Sequence, residues 1–472
     1  MRGRSLFNLG SYFGLAALLL ACGGGNPPAT IPLGTSKVSL TIHDSPPSGV
    51  AVLSFQISVT GVTLNPVAQG IGVPNSGPVS ILEAPVNVEL TQLVTDRAFL
   101  TAGSVPEGTY GTLTLTFANP KLTIQNNSGS AIGSCANAAI CELTPNLVAA
   151  SATYPISQGL TSISLTISPN TPVGLDVDFD LTQSLQSDLT IAPFLTITQL
   201  PSSLSLQDQP YFAEVDNLQG EVNNVNHVDR FTLFMNNGQA LTIFLNNTPG
   251  YGFTPDSGGL NDLQTVRTNT LLQLDGTLVA TGVYLLQTAD QAKQRAEIVG
   301  TVASVDSPSQ FHMVMHDAFP PITGIQVGNV VSVTIPGPAT FNVAADGLSL
   351  PSGLSFASPS DLMPGQEVQV SIAGSASGNA TEVITDQITL RMSQIAGTVS
   401  ATANTSNFTL GNLPALFTST TIQTTVVPET TLENLTAIPL FQNVAVRGLL
   451  FNTTGSPTLV AGKISQQPAG SM

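Results

Sequence analysis

The feature that most constrains this chain is the alternation of apolar residues with serine and threonine. Residues 38–42, 113–117 and 163–167 all carry an apolar side chain at every second position. Successive side chains of a β-strand point to opposite faces, so this period buries one face and leaves the other in water. Helical periodicity is confined to one short segment near residues 88–100. We therefore predict an all-β chain with few short helices.

Length and charge limit the classes of protein to which the chain can belong. Its 472 residues suffice for about three or four domains of about 150 residues each. Only 9% of residues are charged, and 12 Lys and Arg against 29 Asp and Glu give a net charge of −17. A nucleic-acid partner would need a basic surface, so we predict none. An acidic disordered chain would combine high charge with low hydrophobicity, so we expect a folded protein.

The N-terminal segment predicts a compartment. Arg2 and Arg4 precede an apolar run at residues 13–21, which is too short for the roughly 20 residues that span a bilayer. The sequence Leu-Leu-Ala-Cys at residues 19–22 resembles the lipobox of bacterial lipoprotein precursors. We predict a lipoprotein signal peptide at residues 1–21, lipidation of Cys22 and a Gly/Pro tether at residues 22–34. The alternative is a signal peptide cut elsewhere, which would leave Cys22 a bystander thiol.

The residue after the lipidation site bears on the destination. Gly23, rather than Asp, follows Cys22, which resembles the pattern of Gram-negative lipoproteins exported to the outer membrane. Two or three acyl chains anchor a protein stably, since each buried CH₂ contributes about 0.8 kcal/mol. We therefore expect a protein held by its N-terminal lipid in the cell envelope, at the outer membrane. The sequence does not distinguish the periplasmic side of this membrane from the cell-surface side.

The other two cysteines, Cys135 and Cys141, have no histidine or acidic cluster around them, so zinc is not expected. Disulfides persist in an oxidising compartment, and these cysteines lack the Cys-x-x-Cys spacing of redox motifs. We predict a structural disulfide that contributes about 2 kcal/mol.

A repeated spacing occurs three times after residue 211. A glycine in a Gly-x-Val segment precedes a Phe-x-apolar segment by eleven positions in the pairs Gly220 and Phe231, Gly300 and Phe311, and Gly397 and Phe408. A second glycine follows late in each unit, at Gly276, Gly374 and Gly448. Glycine within a strand marks a bulge or tight bend, which the closure of a small barrel requires.

These spacings predict the domain organisation. An N-terminal β-sandwich of about seven strands occupies residues 35–205, and three small OB-like β-barrel repeats occupy residues 211–290, 295–391 and 394–466. The alternative for each repeat is a small two-sheet sandwich.

Short segments carry a family resemblance. Residues 42–47, 86–93, 105–110 and 178–181 resemble recurring segments of an uncharacterised domain family of bacterial lipoproteins. The three repeats resemble a second uncharacterised family of secreted or envelope proteins. Neither family is tied to a known reaction. The resemblance implies an envelope location and a β-rich fold, and it transfers no catalytic residue.

Three acidic residues alternate with apolar ones at Asp176, Asp178 and Asp180, but their spacing does not fit a calcium loop. We predict that they lie on the wet face of a strand and discourage edge pairing. His312 and His316 lie on a predicted strand, too far apart to share one metal, and we expect both at the solvent face. His43 and Asp44 precede Ser-Pro-Pro, which indicates a turn rather than a catalytic dyad.

No nucleophile elbow, phosphate loop or dinucleotide fingerprint occurs, so no catalytic residue, metal or cofactor is predicted. The best candidates for an exposed binding loop are Tyr251 and Phe253, with packing as the alternative. We predict a lipid-anchored, non-catalytic protein that presents β-domains to envelope proteins or polysaccharide. The alternatives are an envelope hydrolase with dispersed carboxylates and a small-ligand or metal-binding module.

Overall fold

Paired β-strands make up almost all of the regular structure, so the predicted all-β fold class is confirmed. The computed structural model describes residues 34–45, 51–67, 77–159, 161–206, 209–224, 230–235, 238–244, 254–255, 271–279, 282–291, 295–375, 378–404, 406–417, 419–433, 435–453 and 457–467. The α-helix found among these residues is a single turn, Leu181–Ser184 (α1), which begins where the Asp180 side chain accepts the Gln183 N–H.

The described residues of the N-terminal domain contain twelve strands rather than about seven. They are Thr35–Ser45 (β1), Ala51–Pro66 (β2), Val79–Ser80 (β3), Val86–Glu89 (β4), Ala98–Pro106 (β5), Gly108–Gln125 (β6), Ile140–Leu143 (β7), Ser151–Gln158 (β8), Thr161–Ser162 (β9), Leu165–Ile167 (β10), Val173–Asp180 (β11) and Leu195–Leu200 (β12). The main order is β3-β2-β6-β8-β12-β11-β1-β5, and β8 joins the two halves by pairing with both β6 and β12. One core unites residues of both halves, including Leu40, Phe55, Phe117 and Phe179.

The sequence allowed a short α-helix within residues 88–100, and the structure has none there. This segment contains the end of β4, a 3₁₀ turn at Leu90–Gln92 and the start of β5. The Glu89 carboxylate accepts the Phe55 N–H and the Ser54 hydroxyl of β2, and it also accepts the Thr91 hydroxyl. These bonds hold the chain to the sheet, so the apolar residues of the segment reach the core without a helix.

The three C-terminal units each form a closed five-stranded sheet with one topology. The strands of the first unit and its flanks are Ser203–Leu206 (β13), Gln209–Asn224 (β14), Arg230–Met235 (β15), Ala240–Phe244 (β16), Thr254–Pro255 (β17), Leu271–Val279 (β18) and Gly282–Gln291 (β19). Its closed sheet contains β14, β15, β16, β18 and β19. In each of the three units the third and fifth strands of the closed sheet pair in parallel and complete the closure. We call the three units the first, second and third barrels.

The second and third barrels share a strand. Their strands are Glu297–Ser307 (β20), Gln310–Phe319 (β21), Val330–Thr334 (β22), Thr340–Val343 (β23), Glu367–Ser375 (β24), Glu382–Asn404 (β25), Asn407–Gly411 (β26), Ile422–Glu433 (β27), Asn443–Phe451 (β28) and Thr458–Gln466 (β29), with a 3₁₀ turn at Pro359–Asp361. The 23-residue β25 pairs with β22 and β24 in its first part and with β26 and β28 in its second. The predicted boundary at residues 391–394 therefore falls inside one continuous strand.

The glycines of the repeated spacing lie where strands approach closely or shift register. A Cβ added to Gly220 would lie 2.6 Å from the Phe234 carbonyl oxygen, and one added to Gly300 would overlap the Val314 carbonyl oxygen. The late glycines Gly276, Gly374 and Gly448 each adjoin a register shift between the fourth and fifth strands of their barrel. Glycine is required at residues 220 and 300 because no side chain fits against the facing backbone.

Candidate functional site

A central cavity of about 610 Å³ lies where the N-terminal domain meets the barrels. The 3₁₀ turn and its flanking strands β4 and β5 form the wall from the N-terminal domain. Facing them are residues of β14 and β18 in the first barrel, of β20, β21 and β24 in the second, and of the shared strand β25 with Arg447 of β28. The cavity thus brings together residues that lie up to 391 positions apart in the sequence, from Gln56 to Arg447.

Carboxylates dominate the charged lining of the cavity. Its acidic residues are Glu89, Asp96, Asp216, Asp275, Glu297, Asp317, Asp346 and Glu367. The basic side chains in the lining are Arg391, Arg447 and His316. Apolar side chains such as Phe99 and Met315 complete the walls. The cavity therefore offers many hydrogen-bond acceptors and an excess of negative charge.

Two of these carboxyls have a pKa above the ordinary aspartate value. Burial, followed by the nearby Asp96 charge, raises the pKa of Asp216 well above its ordinary value, although Arg447 partly opposes this. Burial also raises the pKa of Asp317, even though Gln219 and Gln273 donate hydrogen bonds to its oxygens at 2.8 and 2.5 Å. Buried carboxyls with raised pKa values can hold a proton close to neutral pH.

A network of ion pairs joins the cavity to the third barrel. Asp96 lies 3.3 Å from Arg447 and 3.6 Å from Lys463, and Lys463 in turn lies 3.5 Å from Glu433. Glu433 accepts a bond of 3.0 Å from Arg97 of the N-terminal domain. Because these side chains are largely buried, the charges fix how the N-terminal domain and the third barrel pack.

The same network continues into the N-terminal sheet through Asp176. Its carboxylate accepts bonds from Arg97 Nε at 3.0 Å and from the Thr41 hydroxyl at 2.6 Å, and it lies 3.0 Å from His43 Nδ1. Burial would raise the pKa of Asp176, but His43 and Arg97 hold it well below its usual range. Burial opposes protonation of His43, yet the same carboxylate raises the pKa of the imidazole.

The prediction for the acidic triplet is wrong for Asp176, which is buried and ion-paired rather than on a wet face. It is also wrong about edge pairing, because β11 pairs with β1 on one side and β12 on the other. Asp178 lies 3.8 Å from His43, and Asp180 begins α1. Cations brought by two distant segments explain the burial, and no local pattern around residue 176 announces them.

The two histidines of β21 differ. His312 is partly exposed and lies 2.8 Å from Asp306. His316 is buried, which corrects the prediction of a solvent-facing ring: its Nδ1 lies 3.0 Å from Glu367 and its Nε2 lies 2.7 Å from the Leu53 carbonyl oxygen. The N-terminal domain covers this part of β21, which the alternation within the strand cannot reveal.

The prediction of a turn at Asp44 is wrong, because β1 continues to Ser45 and Asp44 is buried in it. Its carboxylate accepts the Leu181 N–H at 3.2 Å. His43 faces acidic partners on the neighbouring strand, and among the described residues no serine, threonine or cysteine is hydrogen-bonded to its ring.

Cys135 and Cys141 are bonded, with an S–S distance of 2.08 Å. Cys135 packs in the core of the N-terminal domain, and the bridge closes the loop that leads into β7. Cys22, the predicted lipidation site, and Tyr251 and Phe253, the predicted binding-loop aromatics, lie outside the described residues.

Sequence reasoning missed the cavity carboxylates. Asp216 and Asp317 occur inside predicted strands of a chain with few charges, and that placement was a usable signal. Within the described residues, no three His, Cys, Asp or Glu side chains are grouped so as to hold a metal ion. Nor is any helix in the described part long and apolar enough to cross a membrane.

Comparison with known proteins defines the N-terminal domain. The fold and site are those of an all-β protein with a polar cavity between its domains. Residues 35–192 match a family described as a domain of unknown function, DUF4382. No curated protein matches the chain. A solved structure titled "drosophila Unr CSD456" is similar at 10% identity over 54% of this chain and 98% of that chain, with a TM-score of 0.11, which supports no argument about fold or function.

Proposed function

We propose that this chain is a lipid-anchored cell-envelope protein that binds a ligand without chemical conversion. Lipidation of Cys22 would attach it to the outer membrane through the tether at residues 22–34. The DUF4382 domain and the three barrels, which we interpret as repeats of one module, would form a binding body for protein or polysaccharide. The shared topology and the equivalent glycine positions support the repeat interpretation.

The observation that carries this proposal is the central cavity, because its walls come from the N-terminal domain and all three barrels. Binding sites occur preferentially where domains meet, in concave pockets with a few convergent polar groups. The ion pairs between Asp96, Arg447, Lys463 and Glu433 hold two of these walls in place before a ligand arrives. A pre-organised site loses less entropy on binding.

The polar lining favours a ligand rich in hydroxyl or amine groups. Carboxylates accept hydrogen bonds from such groups, and carboxamides such as Gln369 both donate and accept. Apolar side chains such as Met315 and Phe99 offer contact for the faces of a sugar ring. A polysaccharide end or a glycan-linked peptide of the envelope fits this chemistry.

A cavity-filling variant tests the site. Gln369→Trp should occupy the cavity and abolish binding of envelope glycan fragments, measured by calorimetry on the folded chain. Gln310→Trp is the matched control, because Gln310 is an exposed residue of β21 away from the cavity. Equal affinity of both variants for every bound fragment would contradict the cavity as the site.

Attachment is tested separately. Metabolic labelling with a radioactive fatty acid should mark the wild-type protein, and Cys22→Ser should remain unlabelled and leave the membrane fraction. A Cys22→Ser protein that stays with the membrane after carbonate washing would contradict the lipid anchor.

One observation favours a second candidate, an envelope hydrolase with dispersed carboxylates. Asp216 and Asp317 have raised pKa values and line the same cavity as carboxyls such as Asp275. Glycoside hydrolysis needs a protonated carboxylic acid beside an ionised one. Release of reducing sugar ends from envelope polysaccharide, lost in both Asp216→Asn and Asp317→Asn, would replace the binding proposal with this one.

A further inference from the structure

We propose that His316 is a protonation-controlled latch between the N-terminal domain and the second barrel. The proposal goes beyond ligand binding, because it concerns how the two domains are held together and when they separate. The latch consists of His316 on β21, Glu367 on β24 and the Leu53 carbonyl on β2.

The geometry around the ring requires two donors. Nδ1 faces Glu367 Oε1 at 3.0 Å, and Nε2 faces the Leu53 carbonyl oxygen at 2.7 Å. Both partners accept hydrogen bonds only, because one is a carboxylate and the other a carbonyl. A neutral imidazole carries a single N–H, so only the imidazolium can satisfy both acceptors. Loss of that proton must break one of the two bonds, either within the second barrel or across the domain boundary.

The Leu53 carbonyl is available because of a β-bulge. The pairing of β2 with β6 passes from Val52 to Ser54 and leaves Leu53 without a place in the register. A bulge leaves the extra residue unpaired in the ladder and re-aims its backbone. His316 occupies this position from the second barrel, so the bulge supplies the acceptor and the barrel supplies the donor.

The partner carboxylate is fixed in place. Glu367 Oε2 accepts the Thr301 hydroxyl at 2.8 Å, and the Glu367 backbone N–H is bonded to Ser393 Oγ at 2.8 Å. Both latch side chains are almost fully buried, at 2% exposed for His316 and 5% for Glu367. An acceptor that cannot turn away makes the interaction sensitive to the proton on the ring.

The charged groups around the ring favour the imidazolium. Glu367 faces it from β24 and Glu89 from β4, while Asp317 and Arg391 line the adjoining cavity. Burial opposes protonation, but Glu367, with help from Glu89 and the Leu53 carbonyl, raises the pKa of His316 to about 9. A group with a raised folded-state pKa contributes its full stability below the unfolded value of 6.5, and this contribution is lost as pH rises through about 9.

The surroundings explain why the latch would act on the interface. A small apolar cluster beside it joins the two domains and the third barrel: Ala51, Leu53, Ala303, Val314 and Leu416. The Thr123 hydroxyl also donates to the Gly328 carbonyl of the second barrel at 2.5 Å. The charged bonds from Lys121 to Gln326 and from Glu142 to Asn329 and Val330 also cross this contact, but they are exposed, whereas the latch bond is buried. His316 also lines the cavity, so a change at the latch alters a cavity wall.

Hydrogen exchange of the full mature chain tests the latch. After correction for intrinsic exchange, protection of peptides covering residues 51–55 and 311–318 should fall more than about tenfold between pH 6.5 and 9.5, because the ring loses its second proton over this range. His316→Gln should show low protection at both pH values. His312→Gln is the matched control on the same strand and should retain the wild-type profile.

Two results would overturn the proposal: wild-type protection that does not change over this range, or an identical loss in His312→Gln. If His316→Gln does not fold, nitrogen NMR of the histidine-labelled wild-type chain decides. The assigned His316 ring should keep both nitrogens protonated at pH 7.5 and titrate near 9. Titration of His316 near 6.5 would refute the latch.

Discussion

At the scale of single residues, charges are kept in a low-charge interior by partners from distant segments. Asp176 is 5% exposed and meets His43 and Thr41 of the neighbouring strand β1 and Arg97, which immediately precedes β5. Breaking a buried pair costs more than the pair contributes, because it leaves an uncompensated charge. The alternation around residue 176 predicted the strand correctly and the exposure wrongly, since alternation says nothing about what packs on the polar face.

Asp176→Asn is expected to lower the free energy of unfolding by about 3 kcal/mol, because Arg97 and His43 would both lose their shared buried anion. Chemical denaturation at pH 7 measures the change. Asp178→Asn is the control on the same strand, with a more distant contact of 3.8 Å to His43, and should cost about 1 kcal/mol or less. Equal losses in the two variants would contradict the network.

Substitution of Asp216 should change the free energy of unfolding in the opposite direction to substitution of Asp176. Because its pKa is raised in the folded state, its protonated form is favoured there, and the chain loses stability as pH rises above the ordinary aspartate value of 3.8. Asp216→Asn should therefore increase stability at pH 7 and flatten the stability profile between about pH 4 and 7. Asp386→Asn, at an exposed pair with Arg295, should leave the slope of the profile unchanged. Thermal melts over this pH range measure both variants, and a destabilised Asp216→Asn at pH 7 would contradict the assignment.

At the scale of elements, glycine positions determine how the barrel strands close. The eleven-residue spacing between glycine and phenylalanine identified the first two strands of each barrel and the glycine in the first strand, because glycine can be recognised directly in the sequence. The register shifts beside Gly276, Gly374 and Gly448 and the parallel closure of each barrel were not visible, because they depend on strands that meet only after folding. The helix considered near residue 90 failed for the same reason, since Glu89 is bound by a distant strand.

Gly300→Ala should destabilise the chain by about 2 kcal/mol or more, because its Cβ would overlap the Val314 carbonyl oxygen and force β20 away from β21. Gly374→Ala, where a Cβ meets nothing within 4 Å, should change stability by only about 0.5 kcal/mol. Urea unfolding of the two variants gives the comparison. A neutral Gly300→Ala would show that the strands tolerate separation there.

At the scale of the whole molecule, residues 34–472 form one compact unit. Sequence analysis indicated the units and their order, but not that they pack together, because the connecting charges are scattered. Gln394 illustrates the packing. It lies in β25, accepts the Thr95 N–H at 2.9 Å, and donates to the Gln92 carbonyl at 2.5 Å and to Asp96 at 2.7 Å.

Gln394→Ala should separate the unfolding of the N-terminal domain from that of the last two barrels, because four hydrogen bonds between them are lost. Calorimetry should show one transition for the wild-type chain and two for the variant. Gln423→Ala, on β27 within the third barrel, is the control and should keep one transition. Two transitions in the wild-type chain would contradict the packing.

The strand that the second and third barrels share constrains how such a chain can change in length. Side chains alternate between the two faces along β25, so one inserted residue near its middle would turn the core-facing positions of one barrel toward water. Insertion of two residues would keep each side chain on its face of the sheet, but it would shift every residue of β25 beyond the insertion relative to its partner on the neighbouring strand. The number of residues in β25 between the parts that belong to the two barrels is therefore fixed in its parity, and gain or loss of a module must carry half of that strand with it.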